Sequence, residues 1–282
     1  MRFSSFVTGF AAVLSTIACV SAADLTTDPA AESAAESTGL EKRALAKVYK
    51  SCTKAKQVAI TFDDGPYLWG NDLITNLTKY NAKATFFVNG NNWRCIYGDD
   101  QISQMRALYK AGHEFGSHTW SHKNLTELDW NKLHSEMWKS EFVELSVTGA
   151  YFFAAEEALI RILGVNPALM RPPFGAYNNL VLSAVAARNQ SAVLWDFDSE
   201  DTLGRNATAI KADYKAVVTK KLNNVLALNH EVVNSTVHDV IPYALETLSK
   251  AGYKFVTVSE CLGIKPYQYT KAQGKKDTTW KC

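Results

Sequence analysis

The sequence predicts an α/β fold: a distorted (β/α) barrel of about seven parallel strands, with a catalytic site at the C-terminal rim of the barrel. Two observations indicate the fold. Short, continuous apolar runs recur along the chain, and amphipathic helical segments separate most of them, as is typical of parallel βα units. A third observation indicates the site: polar residues follow run after run, and functional residues of such barrels lie at the carboxyl ends of the strands.

Seven apolar runs are predicted to form the strands. They cover residues 57–62, 84–88, 114–118, 168–173, 192–198, 224–230 and 253–258. Helical patterns cover residues 71–81, 102–112 and 240–252. The last two patterns end in Ala-Gly, which is typical of a helix C-terminus. Because so many βα units fit in one chain of 282 residues, a barrel is favoured over an open sheet.

The first 43 residues are predicted to lie outside the fold. Residues 1–22 combine a basic residue with an apolar stretch that ends in small residues, which is typical of a secretory signal peptide. Residues 23–43 are polar and rich in Ala, Ser and Glu, and we interpret them as a pro-segment or disordered linker. The basic pair at 42–43 is either a processing site or a surface charge pair. The first interpretation gives a catalytic domain over residues 44–282.

Cysteine usage agrees with secretion. One cysteine, Cys19, lies in the predicted signal, which leaves an even set that could form two disulfides in three different ways. Because Cys52 and Cys261 flank the predicted core, we favour a Cys52–Cys261 bond together with Cys95–Cys282. A glycosylated protein, secreted and extracellular or cell-wall associated, is expected from the five Asn-x-Ser/Thr sequons. These sequons begin at Asn76, Asn124, Asn189, Asn206 and Asn234.

Composition and charge restrict the partners. The chain is 47% hydrophobic, which is sufficient for one sizeable core, and its formal net charge of +2 argues against nucleic acid as the main partner. Neutral polymers such as glycans agree with this charge. No apolar tail follows Cys261, so we expect no membrane anchor at that end, and we expect a monomer.

One stretch interrupts the regular spacing. The interval from His122 to Arg171 is longer than the roughly 30 residues that one βα unit needs. Within it, residues 140–156 divide what otherwise resembles one continuous helix. Two interpretations stay open: a genuine insertion at the surface, or a translated intron that was retained in the gene model.

Polar residues lie at or just beyond the carboxyl ends of five of the predicted strands. They are Asp63 and Asp64, then His118 and His122, then Arg171, then Asp201, and finally His230. The two histidines are four residues apart, and a helical turn would place both imidazoles on one face, as metal ligands require. Two imidazoles and a carboxylate suit a divalent ion such as zinc. Each pattern alone has an ordinary explanation, solvated histidines or an N-capping aspartate, but together they predict a metal centre.

Five short motifs resemble a known family. TFDDGP, SHTWSH, RPPFG, DSED and LNH, in this order and spacing, are similar to the motifs of the polysaccharide deacetylases, carbohydrate esterase family 4. The resemblance covers about residues 55–262. The stretches FFVNGNNW, MRPPFG and VSECLG make the chain most similar to the fungal chitin deacetylases in that family.

The resemblance implies a metal-dependent hydrolytic site. Asp64, His118 and His122 would bind one divalent metal ion, zinc in the first place and cobalt as the alternative. Asp63 would be the general base that takes a proton from the attacking water. Arg171 would pair with Asp63 and hold it charged and oriented.

The resemblance also implies an acid and a substrate pocket. His230 would be the general acid that protonates the leaving sugar amine, and Asp201 would keep His230 protonated. The backbone N–H near Phe174 would meet the oxyanion, and Leu228 would line the pocket for the acetyl methyl. Trp195, on the fifth predicted strand, is a further candidate for substrate binding.

Two positions depart from the family pattern. Phe174 stands where the family usually has Tyr, and Thr202 stands where it usually has Trp. The second change predicts a wider or wetter acetyl pocket. The leading prediction is a secreted metal-dependent hydrolase that removes N-acetyl groups from N-acetylglucosamine residues of chitin, giving chitosan and acetate. The alternatives are a deacetylase of peptidoglycan or acetylxylan, or a chitin-binding protein with a decayed site. A non-haem iron oxygenase is disfavoured because the usual His-x-Asp start is missing.

Overall fold

A computed structural model of the chain describes residues 44–137 and 155–282. The predicted signal peptide and pro-segment lie outside these residues, and so does nearly all of the candidate insertion at 140–156. The proposed domain boundaries therefore stay predictions.

The centre of the fold is a sheet in which every strand pairing is parallel. Its strands are β1 (Val48–Tyr49), β2 (Gln57–Gly65), β3 (Ala84–Val88), β4 (Glu114–Ser117), β6 (Leu169–Met170), β7 (Ser191–Val193), β8 (Phe197–Asp198), β9 (Val225–His230) and β10 (Lys254–Phe255). The order is β1-β7-β6-β4-β3-β2-β9-β8, with β10 paired to the start of β2. A separate antiparallel pair joins β5 (Val165–Pro167) to β11 (Tyr267–Thr270).

The sheet curls into an incomplete barrel, which confirms the predicted fold class. Strands β7 and β8 lie near opposite ends of the strand order, yet only three residues separate Val193 from Phe197. Both ends of the order must therefore lie close together. The single run predicted over 192–198 is divided at this crossing, because the N–H of Leu194 donates to Tyr49 whereas that of Asp196 donates to Leu226.

Helices surround the sheet. They are α1 (Gly70–Lys79), α2 (Asp99–Lys110), α3 (Trp130–Met137), α4 (Ala155–Leu163), α5 (Asn179–Ala187), α6 (Ala207–Thr219), α7 (Ile241–Lys250) and α8 (Val258–Leu262). The three helices expected from sequence patterns are α1, α2 and α7. After α2 and α7 the chain turns at Gly112 and Gly252, whose φ angles of 85° and 78° are left-handed and favour glycine. Within the described ranges, no helix combines the length and apolar character required to cross a bilayer.

Alternation along β2 separates the two faces of the sheet. Val58, Ile60 and Phe62 belong to the core that packs against the helices, whereas Ala59 packs inside the barrel with the side chains of neighbouring strands. Because side chains of a strand alternate, Asp63 shares the inner face with Ala59. The inner face is thus apolar at its base and becomes polar at the carboxyl ends of the strands.

Two disulfides fix the ends of the domain, and both match the predicted pairing. Cys52 is bonded to Cys261, which joins the segment before β2 to α8. Cys95 is bonded to Cys282, which joins the loop after β3 to the C-terminal residue. Disulfides that close such long loops each stabilise a fold by about 2–4 kcal/mol.

Candidate metal and catalytic centre

The two adjacent aspartates both face the interior because β2 ends in a bulge. The register with β3 shifts between Asp63 and Gly65, and Asp64 has a left-handed φ of 71°. In a regular strand, neighbouring side chains would point to opposite faces. Here both carboxylates reach one imidazole: Nε2 of His118 lies 3.7 Å from Oδ2 of Asp63 and 3.7 Å from Oδ1 of Asp64.

The two histidines converge, but on a loop and not on the helical turn that the spacing suggested. Residues 118–122 follow β4, and the φ angles of Thr119 and His122 are 70° and 57°, in the left-handed region. The ring centroids of His118 and His122 are 4.9 Å apart, and Nε2 of His122 lies 3.4 Å from Oδ1 of Asp64. The two histidines therefore lie side by side as the spacing suggested, while the expected helical geometry was wrong; their role as metal ligands stays a prediction.

A group of three residues, called here the histidine cluster, fits a divalent metal ion: Asp64, His118 and His122. Each offers one ligand atom, and these atoms all lie within 4.8 Å of one another. Nδ1 of His118 donates to the carbonyl of Arg171 at 2.7 Å, which directs the lone pair of Nε2 towards the aspartates. Burial lowers the pKa of His118 to about 3, so the imidazole is neutral, as a ligand must be. Two neutral imidazoles and a carboxylate are a donor set that zinc accepts.

Arg171 holds Asp63 from the interior of the barrel. Its side chain is fully buried, and Nη1 donates to Oδ1 of Asp63 at 2.8 Å and to the hydroxyl of Thr61 at 2.6 Å. Nε and Nη2 donate to the carbonyls of Val193 and Leu194. Burial raises the pKa of Asp63, and the charge and hydrogen bond of Arg171 oppose that rise. Asp63 is thereby fixed beside the histidine cluster without belonging to it.

His230 lies across from Asp63 at the end of the neighbouring strand, since the two residues are register partners in β2 and β9. Nδ1 of His230 donates to Oδ1 of Asp201 at 2.6 Å, and its backbone N–H donates to Oδ2 at 2.9 Å. The hydroxyl of Thr236 also donates to Oδ2, at 2.8 Å. Burial opposes the imidazolium, but the hydrogen bond and charge of Asp201, helped by the two aspartates of β2, raise the pKa of His230 to about 9.

The three candidate substrate-binding residues surround this centre at different depths. Leu228 lies on β9 two residues before His230 and is 5% exposed. Phe174, which is 68% exposed, occupies a tight turn with a φ of 60°, and its ring centroid lies 4.7 Å from that of His122. Trp195 packs behind the same turn, where a Cβ on Gly175 would lie 2.8 Å from its ring. Phe174 thus borders His122, Leu228 lies on the same face of β9 as His230, and Trp195 supports the turn.

Two asparagines that the sequence analysis did not single out form hydrogen bonds with residues of this centre. The side-chain amide of Asn92 donates to Oδ1 of Asp64 at 3.3 Å and to Asn89 at 3.2 Å. The amide of Asn89, in turn, donates to the carbonyls of His118 and Thr119. Both lie in the stretch FFVNGNNW, which had been used only as a mark of resemblance. Their proximity to Asp64 follows from β3 being the neighbour of β2.

The buried side chain of Glu231 occupies the space beside Gly65, the glycine that follows the two aspartates. Its side chain is 2% exposed, and Oε1 accepts the N–H of Tyr67 at 2.5 Å. A Cβ on Gly65 would lie 2.3 Å from the Glu231 carboxyl carbon, so only glycine leaves room for this contact. Burial raises the pKa of Glu231 to about 7. The position directly after the LNH motif was the only sequence signal for this residue.

The arrangement is that of a hydrolytic site at the rim of a parallel barrel: a candidate base and a candidate acid flank a group of metal-binding atoms. The chain belongs to the polysaccharide deacetylase family, since residues 50–193 match the family described as Polysaccharide deacetylase. The matched range contains the three candidate metal ligands, Asp63 and Arg171, whereas Asp201 and His230 lie beyond it.

Named relatives in this family act on two polymers. The chain is 32% identical over 233 residues to a chitin deacetylase of Pestalotiopsis sp, covering 80% of this chain and 70% of that protein. It is 34% identical over 219 residues to a probable peptidoglycan-N-acetylglucosamine deacetylase of Arthroderma benhamiae, covering 77% of this chain and about half, 46%, of that protein. The structure of the chitin deacetylase from Colletotrichum lindemuthianum superposes with a TM-score of 0.69 at 28% identity, covering 81% and 96% of the two chains.

Proposed function

We propose that the protein is a secreted hydrolase that removes N-acetyl groups from N-acetylglucosamine residues of chitin, with one divalent metal ion, giving chitosan and acetate. The observation that carries the proposal is the convergence of Asp64, His118 and His122 within 4.8 Å, beside a carboxylate that a buried arginine holds separately. The two disulfides and the chitin deacetylases among the relatives support an extracellular role on chitin.

Asp64, His118 and His122 would hold the metal ion, for which zinc is the first candidate and cobalt the second. When bound, such an ion supplies Lewis acidity, which lowers the pKa of water and polarises an amide carbonyl. The cluster contributes one negative charge and two neutral nitrogens. A net positive charge at the site would therefore remain to favour the ionised form of Asp63 beside it.

Asp63 acts as the general base. Its Oδ1 accepts from Arg171, whereas Oδ2 faces the histidine cluster at 3.7 Å from His118, so one oxygen is held and the other is available. Asp63 takes a proton from the water that attacks the acetyl carbonyl carbon. Arg171 keeps the carboxylate oriented through this transfer, because its remaining donors are fixed by main-chain carbonyls.

His230 acts as the general acid on the opposite side of the site. Its raised pKa keeps the imidazolium at neutral pH, and Nδ1 is occupied by Asp201, so Nε2 carries the proton that is delivered. The proton goes to the amine nitrogen as the bond between nitrogen and the acetyl carbon breaks. An amide needs this proton more than an ester does, since an amine is the poorer leaving group. The retained acid therefore favours N-deacetylation over acetylxylan esterase activity.

The turn at residues 173–175 and strand β9 supply the remaining contacts. The backbone N–H of Phe174 donates to the oxyanion that forms from the acetyl carbonyl, and Leu228 lines the space for the acetyl methyl. Phe174 and Thr202 depart from the family pattern, but both side chains are exposed. Neither change interrupts the contacts of Arg171 with Asp63 or those of Asp201, so we propose an active enzyme and not a decayed binding protein.

Acetate release from purified protein tests the proposal. We expect zinc-loaded enzyme to release acetate from chitin oligomers, with less release from peptidoglycan fragments and acetylated xylan. Asp63→Asn should lower turnover at least about a hundredfold while zinc still binds, because Asp64 remains. Asp213→Asn, at an exposed pair with Arg205, is the matched control and should keep wild-type turnover. Absence of acetate from every substrate would overturn the proposal in favour of a binding protein, and wild-type turnover by Asp63→Asn would overturn the role of Asp63.

A further inference from the structure

We propose that Glu136, on α3, is a positioning residue that holds His122 in place for metal binding. This inference rests on the proposed metal site and adds a residue outside every motif that the sequence singled out. Glu136 lies fourteen positions after His122 and is 5% exposed. Its hydrogen bonds and ion pair, among the described residues, go to Trp120, Ser121 and Lys123, so its effect on the metal passes through the loop that carries His122.

Glu136 binds that loop through both its side chain and its main chain. Oε2 accepts the backbone N–H of Ser121 at 2.8 Å, and Oε1 accepts the Ser121 hydroxyl at 2.6 Å. The main-chain carbonyl of Glu136 accepts the N–H of Trp120 at 2.8 Å. That carbonyl lies one residue before Met137, the last residue of α3 that the structure describes. Both residues immediately before His122 are therefore tied to the same residue of α3.

The loop needs such a tie because its conformation is unfavourable by itself. Thr119 and His122 are non-glycine residues with left-handed φ angles, a backbone conformation that persists only where surrounding contacts maintain it. Without fixed contacts between them, the segment would relax to conformations that turn the His122 ring away from Asp64. On the His118 side, Asn89 and the β3 loop hold the carbonyls of Thr119 and Trp120. Glu136 is the corresponding anchor on the His122 side.

The helix that carries Glu136 is itself firmly seated. Leu133 and Met137 of α3 are both fully buried and pack in an apolar cluster with residues of α5. The ion pair of Glu136 with Lys123 is a lesser contact, because the Lys123 side chain is 60% exposed and such pairs contribute little. The hydrogen bonds to Ser121, and not the charge of Glu136, therefore carry the positioning.

Zinc affinity of purified variants, measured by competition with a chromogenic chelator, tests this role. E136M removes both acceptor oxygens at similar side-chain length. E136Q keeps an acceptor for the Ser121 N–H, and its amide can donate to the rotated hydroxyl, so it should act as the conservative rescue. E114M is the matched control: Glu114 is also a buried glutamate that accepts one backbone N–H, from Ser259, but it begins β4 at the end remote from His118.

We expect wild-type protein to bind one zinc ion per chain and E136M to bind it about tenfold to a hundredfold more weakly. E136Q should stay within about threefold of wild type on that scale, and E114M should lose thermal stability but not zinc affinity. An E136M affinity equal to wild type, or an equal loss in E114M, would overturn the positioning role. If E136M fails to fold, S121A replaces it and should weaken zinc binding without a change in the far-ultraviolet spectrum; unchanged affinity in S121A would likewise overturn the role. Failure of wild-type protein to bind zinc at all would instead refute the proposed function.

Discussion

The pair of His230 and Asp201 gives the sharpest prediction about pH. Asp201→Asn keeps the shape of the side chain but removes the charge beside the candidate acid. The structure places that charge 2.6 Å from Nδ1 of His230, with a second bond to the His230 backbone. Asp201 supplies the strongest of the interactions that raise the pKa of His230 from an ordinary 6.5 to about 9.

The magnitude follows from that shift. Each pKa unit corresponds to about 1.4 kcal/mol between the two protonation states. A cation at Asp64 would offset the contribution of the two aspartates of β2 equally in both proteins, so the difference between wild type and D201N isolates Asp201. We expect the alkaline limb of the rate profile of D201N to move down by at least about one pH unit, with a loss of about twofold or more at pH 8 and a smaller loss at pH 6.

Acetate release measured from pH 5 to pH 10 checks this expectation, with zinc saturating and Asp213→Asn as the control. Stability gives a second readout. Because the folded-state pKa of His230 is raised, its stabilisation is complete below about pH 6.5 and is lost as the pH rises to about 9. The deficit of D201N in urea unfolding should therefore be largest near pH 6. A D201N profile that is lower at every pH but unshifted would refute the assignment of His230 as the acid that Asp201 keeps protonated.

Two further predictions concern the rim of the barrel. Arg171→Lys should lower the melting temperature, and it should lower turnover at least about a hundredfold. One ammonium cannot replace the four N–H donors that reach Thr61, Asp63 and two main-chain carbonyls. Wild-type acetate release and an unchanged melting temperature would contradict this prediction. Phe174→Ala should keep turnover within about threefold of wild type, since only the backbone N–H of Phe174 has a role in the proposed mechanism. A loss of turnover above about tenfold would show that the ring itself acts on the substrate.

Much of the fold follows from local patterns in the sequence. Each of the seven apolar runs contains a strand, because continuous apolar segments between helices are buried on both faces in a parallel sheet. The two residues of β1 gave no such pattern, and they form a strand only by pairing with β7. The division of residues 192–198 into two strands likewise depends on partners distant in sequence, so no local signal announces it.

In the candidate site, the sequence predicted the types of residue but not their backbone conformation. Residue type and spacing indicated a centre of two histidines and one carboxylate, because few other side chains bind divalent ions, whereas the choice of Asp64 as that carboxylate came from the family resemblance. The left-handed bulge at Asp64 and the irregular loop of the histidines were not predictable, since neither position is the glycine that usually marks such backbone. The role of Glu136 was not predictable for a further reason: a glutamate on an amphipathic helix normally faces solvent, and only tertiary packing buries this one.

A zinc titration of metal-stripped protein tests the central claim most directly. Protein freed of metal by a chelator would receive zinc in steps, and acetate release from chitin oligomers would be followed at each step. Turnover should be absent at the start, rise in proportion to zinc and reach its limit at one ion per chain, and Asp64→Asn should not reach this level. Full turnover by protein that contains no metal would contradict the role of the metal ion in the reaction.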